Sequence, residues 1–277
     1  MKRNLFFILT SFLLVTACTS AQGIKGSKNY ITKNVPIENF HSIVVKGSPN
    51  VIYTQKPGKP TLEIYGSDNI VPLLETYVEN GTLTVRFKKN TRMKETGKLE
   101  IRVSGAEIRE ALVQGSGDFT FANGLKSENE LVVKVHGSGD VRGEKINCKN
   151  LSATVQGSGD LYLTSIRTDF LETRVQGSGD VKLSDIEALS AKATVQGSGD
   201  VVLSGSVDNA ASYYVQGSGD IQASNLKATH VLAEVRGSGD IRCYAVKALK
   251  GGVYGSGDVG YKGNPEIVFT KEGLYKL

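Results

Sequence analysis

Aspartate recurs at positions 118, 140, 160, 180, 200, 220, 240 and 258, each time as the last residue of Gly-Ser-Gly-Asp. The spacing is 22, then 20 five times, then 18. A fixed period in this range belongs to stacked units that cover one another's apolar faces. Carboxylates in register about 4.8 Å apart repel by about 0.9 kcal/mol per neighbouring pair in bulk water, and by several times that beside a low-dielectric surface. Such a row invites Ca²⁺, basic side chains or amide donors. Asp160, Asp180, Asp200 and Asp220 are therefore candidate calcium ligands, since calcium takes carboxylate and carbonyl oxygens in flexible geometry. The calcium-binding nonapeptide, Gly-Gly-x-Gly-x-Asp at period nine, is absent. Read structurally, Gly-Ser-Gly-Asp is a tight turn that stacks, because glycine takes positive φ and Asp bonds to nearby amides.

A second row stands just before the turn: Gln114, Gln156, Gln176, Gln196 and Gln216, replaced by His136, Arg236 and Tyr254 in the other copies. Stacked glutamines hydrogen-bond along the axis. Facing solvent, Gln156, Gln176, Gln196 and Gln216 would also offer amides to sugar hydroxyls beside Tyr162 and Tyr214, which makes these six the candidate ligand face. No catalytic residue is proposed. Acid–base catalysis needs two groups in different environments, whereas these carboxylates recur alike in every copy. His41, His136 and His230 fall at unrelated positions and offer neither metal spacing nor a triad. The glycine motif precedes no helix, so it is no phosphate loop.

These rows must be carried by strands. Each Asp is followed by an apolar residue: Phe119, Val141, Leu161, Val181, Val201, Ile221, Ile241 or Val259. Before the glycines stand Val113, Val135, Val155, Val175, Val195, Val215, Val235 and Val253. Alternation at period two on both sides of the turn marks strands with one buried face. Each unit reads as strand, glycine turn, strand, corner, and near-identical layers most simply coil in one direction. The expectation is an all-β parallel β-helix or solenoid with about twenty residues per coil over residues 111–277. Residues 36–110 read as antiparallel strands linked by turns such as Glu79-Asn80-Gly81. They are expected to close one end of the stack, and residues 265–277 the other.

At the N-terminus, Lys2 and Arg3 precede an apolar run ending in Val15-Thr16-Ala17-Cys18. Residues 1–17 have the layout of a signal peptide, too short for a lasting span. The last four resemble a bacterial lipobox, which implies cleavage before Cys18 and its lipidation, hence attachment to the bacterial outer membrane through a lipid anchor. Residues 18–35, rich in Ser, Gly and Lys, read as a flexible tether. The other two cysteines, Cys148 and Cys243, lie five units apart, roughly 24 Å at about 4.8 Å per layer, so no disulfide joins them. Cys243 fills the core slot of Leu163, Leu183 and Leu203, and Cys148 reads as a loop thiol. The net charge of +5 is scattered, with no basic stripe bearing aromatics. Nucleic acid is not an expected partner.

The stretches Phe40-His41-Ser42-Ile43-Val44-Val45-Lys46-Gly47, Val51-Ile52-Tyr53-Thr54-Gln55 and Glu75-Thr76-Tyr77-Val78-Glu79-Asn80-Gly81-Thr82-Leu83, with the recurring glycine motif, resemble the autotransporter adhesin head GIN domain family. The resemblance runs from about Glu38 to Tyr261. It implies a β-helical fold, an envelope location and an adhesive role, and supplies no catalytic motif. The expected function is that of a non-catalytic envelope lipoprotein binding a glycan or protein ligand through a flat solenoid face. A periplasm-facing scaffold and a polysaccharide-active enzyme are the second and third readings. Calcium is the one cofactor considered.

Overall fold

Slips in the alternation of buried and exposed residues bend the chain into a coil. The computed structural model describes residues 23–270 and 272–277; the expected signal peptide and Cys18 lie outside them. Along Leu161–Gly177 the buried side chains are Leu161, Leu163, Ile166, Thr168, Leu171, Thr173 and Val175. The period of two slips at Thr164/Ser165 and again at Asp169/Phe170, and at each slip the buried face moves to a new side. With the glycine turn as third corner, each coil has three sides. Ile166 thus begins a short side of its own, where the sequence suggested only a corner.

The first slip has a backbone signature. Lys145, Ser165 and Asp185 take φ of +59°, +54° and +51°, and the next layer places Gly205 at +127°. A left-handed residue turns the strand sharply, at a cost of about 1–2 kcal/mol for a residue other than glycine.

Successive coils pair in parallel and in register, with Val155 opposite Val175, Val175 opposite Val195 and Val195 opposite Val215. The complete column holds Val85, Val45, Val113, Val135, Val155, Val175, Val195, Val215, Val235 and Val253. Each is buried. Full burial of such a side chain contributes about 1.5–3 kcal/mol, so the column is a main source of cohesion between layers. The fold is the all-β parallel solenoid that the period predicts.

The coil begins earlier than residue 111. Ser42–Gly47 pairs in parallel with Glu110–Gly115, and Val51–Gln55 with Phe119–Phe121. On the other side of this layer lie Thr82–Phe87 and Leu99–Gly105, also parallel to it. The spatial order is thus 82, 42, 110, and the chain lays down its second layer first. Antiparallel pairing is confined to the outer strands: Leu74–Glu79 with Thr82–Phe87 across the Asn80-Gly81 turn, and Thr61–Ser67 with its two neighbours. The expected antiparallel cap is correct for these alone.

The expected tether is likewise shortened. Ile24–Lys25 pairs with Met93–Glu95, and Tyr30–Val35 runs antiparallel to Thr61–Ser67, with Tyr30 stacked on Tyr65 at 5.6 Å between centroids. A complete backbone ladder fixes residues 30–35 despite their polar composition. At the far end, Glu266–Thr270 and Leu274–Lys276 form one more, abbreviated layer. No helix among the described residues is long and apolar enough to cross a membrane.

Candidate ligand-binding faces

At the glycine corner the layers approach backbone to backbone. In each turn the Ser and second Gly amides both donate to the first Gly carbonyl of the layer below, as Ser178 and Gly179 do to Gly157 at 2.8 and 3.0 Å. A Cβ on Gly179 would lie 2.0 Å from the Gly159 oxygen. The motif is glycine-rich because of this contact, with the positive φ of Gly157 and Gly177 a second requirement.

Each aspartate continues the ladder through its side chain. The backbone N–H of Asp140, Asp160, Asp180, Asp200, Asp220, Asp240 and Asp258 donates to Oδ1 of the preceding layer's Asp at 2.7–3.0 Å. The row starts at Asn50, whose Oδ1 accepts from the Asp118 amide at 2.9 Å. Gly47-Ser48-Pro49-Asn50 is thus a ninth, degenerate copy of the turn. Its Pro49 stands where the other copies have a glycine amide, on the side where no further glycine turn follows. Proline removes the donor that would have no carbonyl there.

The second carboxylate oxygens meet Arg142 at Asp140 (2.7 Å), Tyr162 at Asp160 (2.7 Å), Gln222 at Asp220 (3.2 Å) and Arg242 at Asp240 (3.3 Å). Amide donors and basic or phenolic side chains therefore offset the row. Of the four candidate calcium ligands, all spend Oδ1 on the ladder, and Asp160 and Asp220 also engage Oδ2. Among the described residues no three His, Cys, Asp or Glu side chains gather as a metal site.

The glutamines form the axial row that stacking implies. Gln156 donates to Gln176, Gln176 to Gln196 at 2.9 Å, and Gln196 to Gln216 at 2.9 Å. Tyr214 lies on the same side, in register between Thr194 and Glu234. Tyr162 does not. It follows the glycine turn, in register with Arg142 and Lys182 on the next side of the coil. The six residues expected to share one face occupy two, because the glycine corner separates them. Tyr162 donates to Asp160, and Arg142 Cζ lies 5.4 Å from its ring centroid. The hydrogen bond to Asp160, then burial and the neighbouring carboxylates, push its phenol up to about 12.

The third side holds a hollow of about 720 Å³, lined by Ser127, Lys149, Arg167, Asp169, Leu189 and Asp208 among others. Arg167 is tied down by Glu187 (Nε to Oε2, 2.7 Å) and the Asp185 carbonyl (2.8 Å). This side escaped the sequence reading because its residues, such as Asn147, Arg167, Glu187 and Ser206, do not recur. Variation at a fixed repeat position was the available signal. Cys148 also belongs here. It lies in the short connection between Val141–Asn147 and Asn150–Gly157, a loop as expected, but a buried one: it is 3% exposed, and burial raises its thiol to about 11. Cys243 is fully buried as expected, and both cysteines are free.

A family model described as "Putative auto-transporter adhesin, head GIN domain" matches residues 39–166 and 163–265. The chain belongs to this family. Among solved structures, a "putative lipid binding protein" from Parabacteroides distasonis is 26% identical with a TM-score of 0.69, covering 92% of this chain and 97% of its own. A "putative adhesin" from Bacteroides fragilis is 29% identical with a TM-score of 0.55, covering 92% and 99%. Another from Parabacteroides merdae, at 23% identity and TM-score 0.69 with 92% and 97% covered, is alike in fold. No protein of curated function matches the chain.

Proposed function

We propose that this head GIN chain is a non-catalytic binding module of the cell envelope, held at the outer membrane by a lipid on Cys18, that adheres to a glycan or protein through a side of its solenoid. The observation that carries this is the register: parallel coils present polar side chains in straight axial rows, a rigid surface whose ordering cost is met at folding, before any ligand arrives. Family membership and the adhesin-like solved structures similar to it point the same way. Against catalysis speaks the equivalence of the carboxylates, each set in the same ladder as its neighbours, with none singled out as an acid or a base.

A periplasm-facing scaffold is the second reading, favoured by one feature. Thr19-Ser20-Ala21-Gln22-Gly23, directly after Cys18, carries no acidic residue, unlike the acidic stretches that often accompany lipoprotein export to the surface. Protease treatment of intact cells separates the two: a surface adhesin is digested, and a protein that survives until the envelope is opened is the scaffold. Binding of the purified chain to whole cells and to a glycan array then tests adhesion itself.

A further inference from the structure

The glutamine row ends at Gln216, where it leaves a polar hollow. Each Nε2 along the row donates towards the next layer, as Gln196 does to Gln216 Oε1. Twenty residues after Gln216 stands Arg236, which has donors and no acceptor. Among the described residues, Gln216 Nε2 has no acceptor, and the side chain is exposed. Arg236 does not fold back over it. Its Nη2 lies 3.2 Å from Glu234 Oε2, and its Cζ lies 5.7 Å from the ring centroid of Tyr254. Glu234 stands in register with Tyr214. Tyr214, Val215, Gln216, Glu234 and Arg236 line an open hollow of about 190 Å³, the share of about six waters in the liquid.

An unspent amide, a phenol, a carboxylate and a guanidinium thus converge on one small space. Their charges cancel within a pair already formed, so an anion meets Glu234 and a cation meets Arg236. Neutral groups that both donate and accept suit all four. Vicinal hydroxyls do this: the carboxylate accepts from two adjacent O–H groups while amide and guanidinium donate to their lone pairs. Tyr254, one layer on, holds the Arg236 guanidinium over its ring and so keeps that donor at the edge of the hollow. The volume is on the scale of one sugar ring.

The geometry points to a monosaccharide subsite at the end of the glutamine row, which takes the neutral terminal hexopyranose of a glycan. This rests on the adhesion reading and gives it a ligand class and a location. The full chain is titrated with the methyl hexopyranosides of glucose, galactose and mannose by saturation-transfer NMR, and probed on an array of neutral glycans, as wild type, Glu234→Gln, Gln216→Leu and Glu38→Gln. One charge-assisted hydrogen bond is worth about tenfold in affinity and a neutral one about fivefold, so Glu234→Gln binds about tenfold and Gln216→Leu about fivefold more weakly with unchanged melting temperature, and Glu38→Gln binds as wild type. Equal hexopyranoside binding by all four proteins overturns the subsite and leaves adhesion standing. Cell binding without any hexopyranoside binding does the same, and absence of both overturns the two readings together.

Discussion

Asp200 donates its backbone N–H to Asp180 Oδ1 at 2.8 Å, so the side chain of one turn serves as the backbone acceptor for the next. What the ladder uses is an oxygen, and its charge is incidental. Asn50 provides that oxygen at the start of the row with no charge at all. Asp180→Ala strands the Asp200 amide at a part-buried corner and is expected to cost about 1 kcal/mol. Asp180→Asn keeps the acceptor and relieves repulsion along the row, so it should stay within about 0.5 kcal/mol of wild type. Urea denaturation of the two variants decides this; equal loss in both would mean that the charge matters after all.

The glycine corner makes a steeper demand. A methyl on Gly179 would meet the Gly159 carbonyl at 2.0 Å, and one on Gly205 the Ile186 carbonyl at 2.2 Å, both backbone atoms fixed by the ladders on either side. Gly179→Ala and Gly205→Ala should each lose about 3 kcal/mol or more, while Ser178→Ala, between two glycines yet exposed, changes little. The converse holds at the position equivalent to Gly205 three layers earlier. Lys145, at φ +59°, carries a left-handed penalty that glycine lacks, so Lys145→Gly should raise stability by about 0.5–1 kcal/mol. A thermal melt lower than wild type for Lys145→Gly would show that its side chain does more than tolerate the bend.

Much of this was legible from the period alone. The valine before each turn and the apolar residue after it place two sides of the coil inward without ambiguity, and the stacked glutamines follow. Three things were not. Gly47-Ser48-Pro49-Asn50 was hidden because its proline and asparagine break the motif by identity while preserving its hydrogen bonds, and because the layer that follows it in sequence lies beneath it in space. The third side is only three residues long between two slips of the alternation, too short to register as a strand. Tyr162 seemed a neighbour of the glutamines, as Tyr214 is, because sequence proximity across a turn says nothing about which side of a corner a residue occupies.

Cys148 and Cys243 sit 3% and 0% exposed, and burial lifts their thiols to about 11 and about 12 from an ordinary value near 9. Raised folded-state values mean that the neutral thiols favour the fold fully below pH 9 and that this contribution is lost as pH climbs towards 11 and 12. Neither should react with a thiol reagent at pH 8 in the native protein, and both should react promptly in 6 M guanidinium. Rapid native labelling of Cys148 would mean that the connection holding it opens to solvent in the native state.

Tyr213 is the largest departure from uniformity in the interior. Its column runs Thr173, Ala193, Tyr213, Ala233, Gly251, so one ring takes the space that alanines and a glycine leave in the layers around it. The ring is fully buried and its hydroxyl has no hydrogen-bond partner. A buried hydroxyl without a partner forfeits its hydration, so Tyr213→Phe should raise stability by about 1 kcal/mol, whereas Tyr213→Ala leaves a cavity worth about 3–5 kcal/mol. Burial also holds the phenol far above its ordinary value of 10. The folded state therefore keeps its full stability below pH 10 and loses it progressively above, as the unfolded phenol ionises and the native one does not. The Phe variant should lose less stability than wild type between pH 9 and 11, by an amount that grows with pH. Parallel stability curves for the two proteins across that range would mean that the hydroxyl is solvated in the native state.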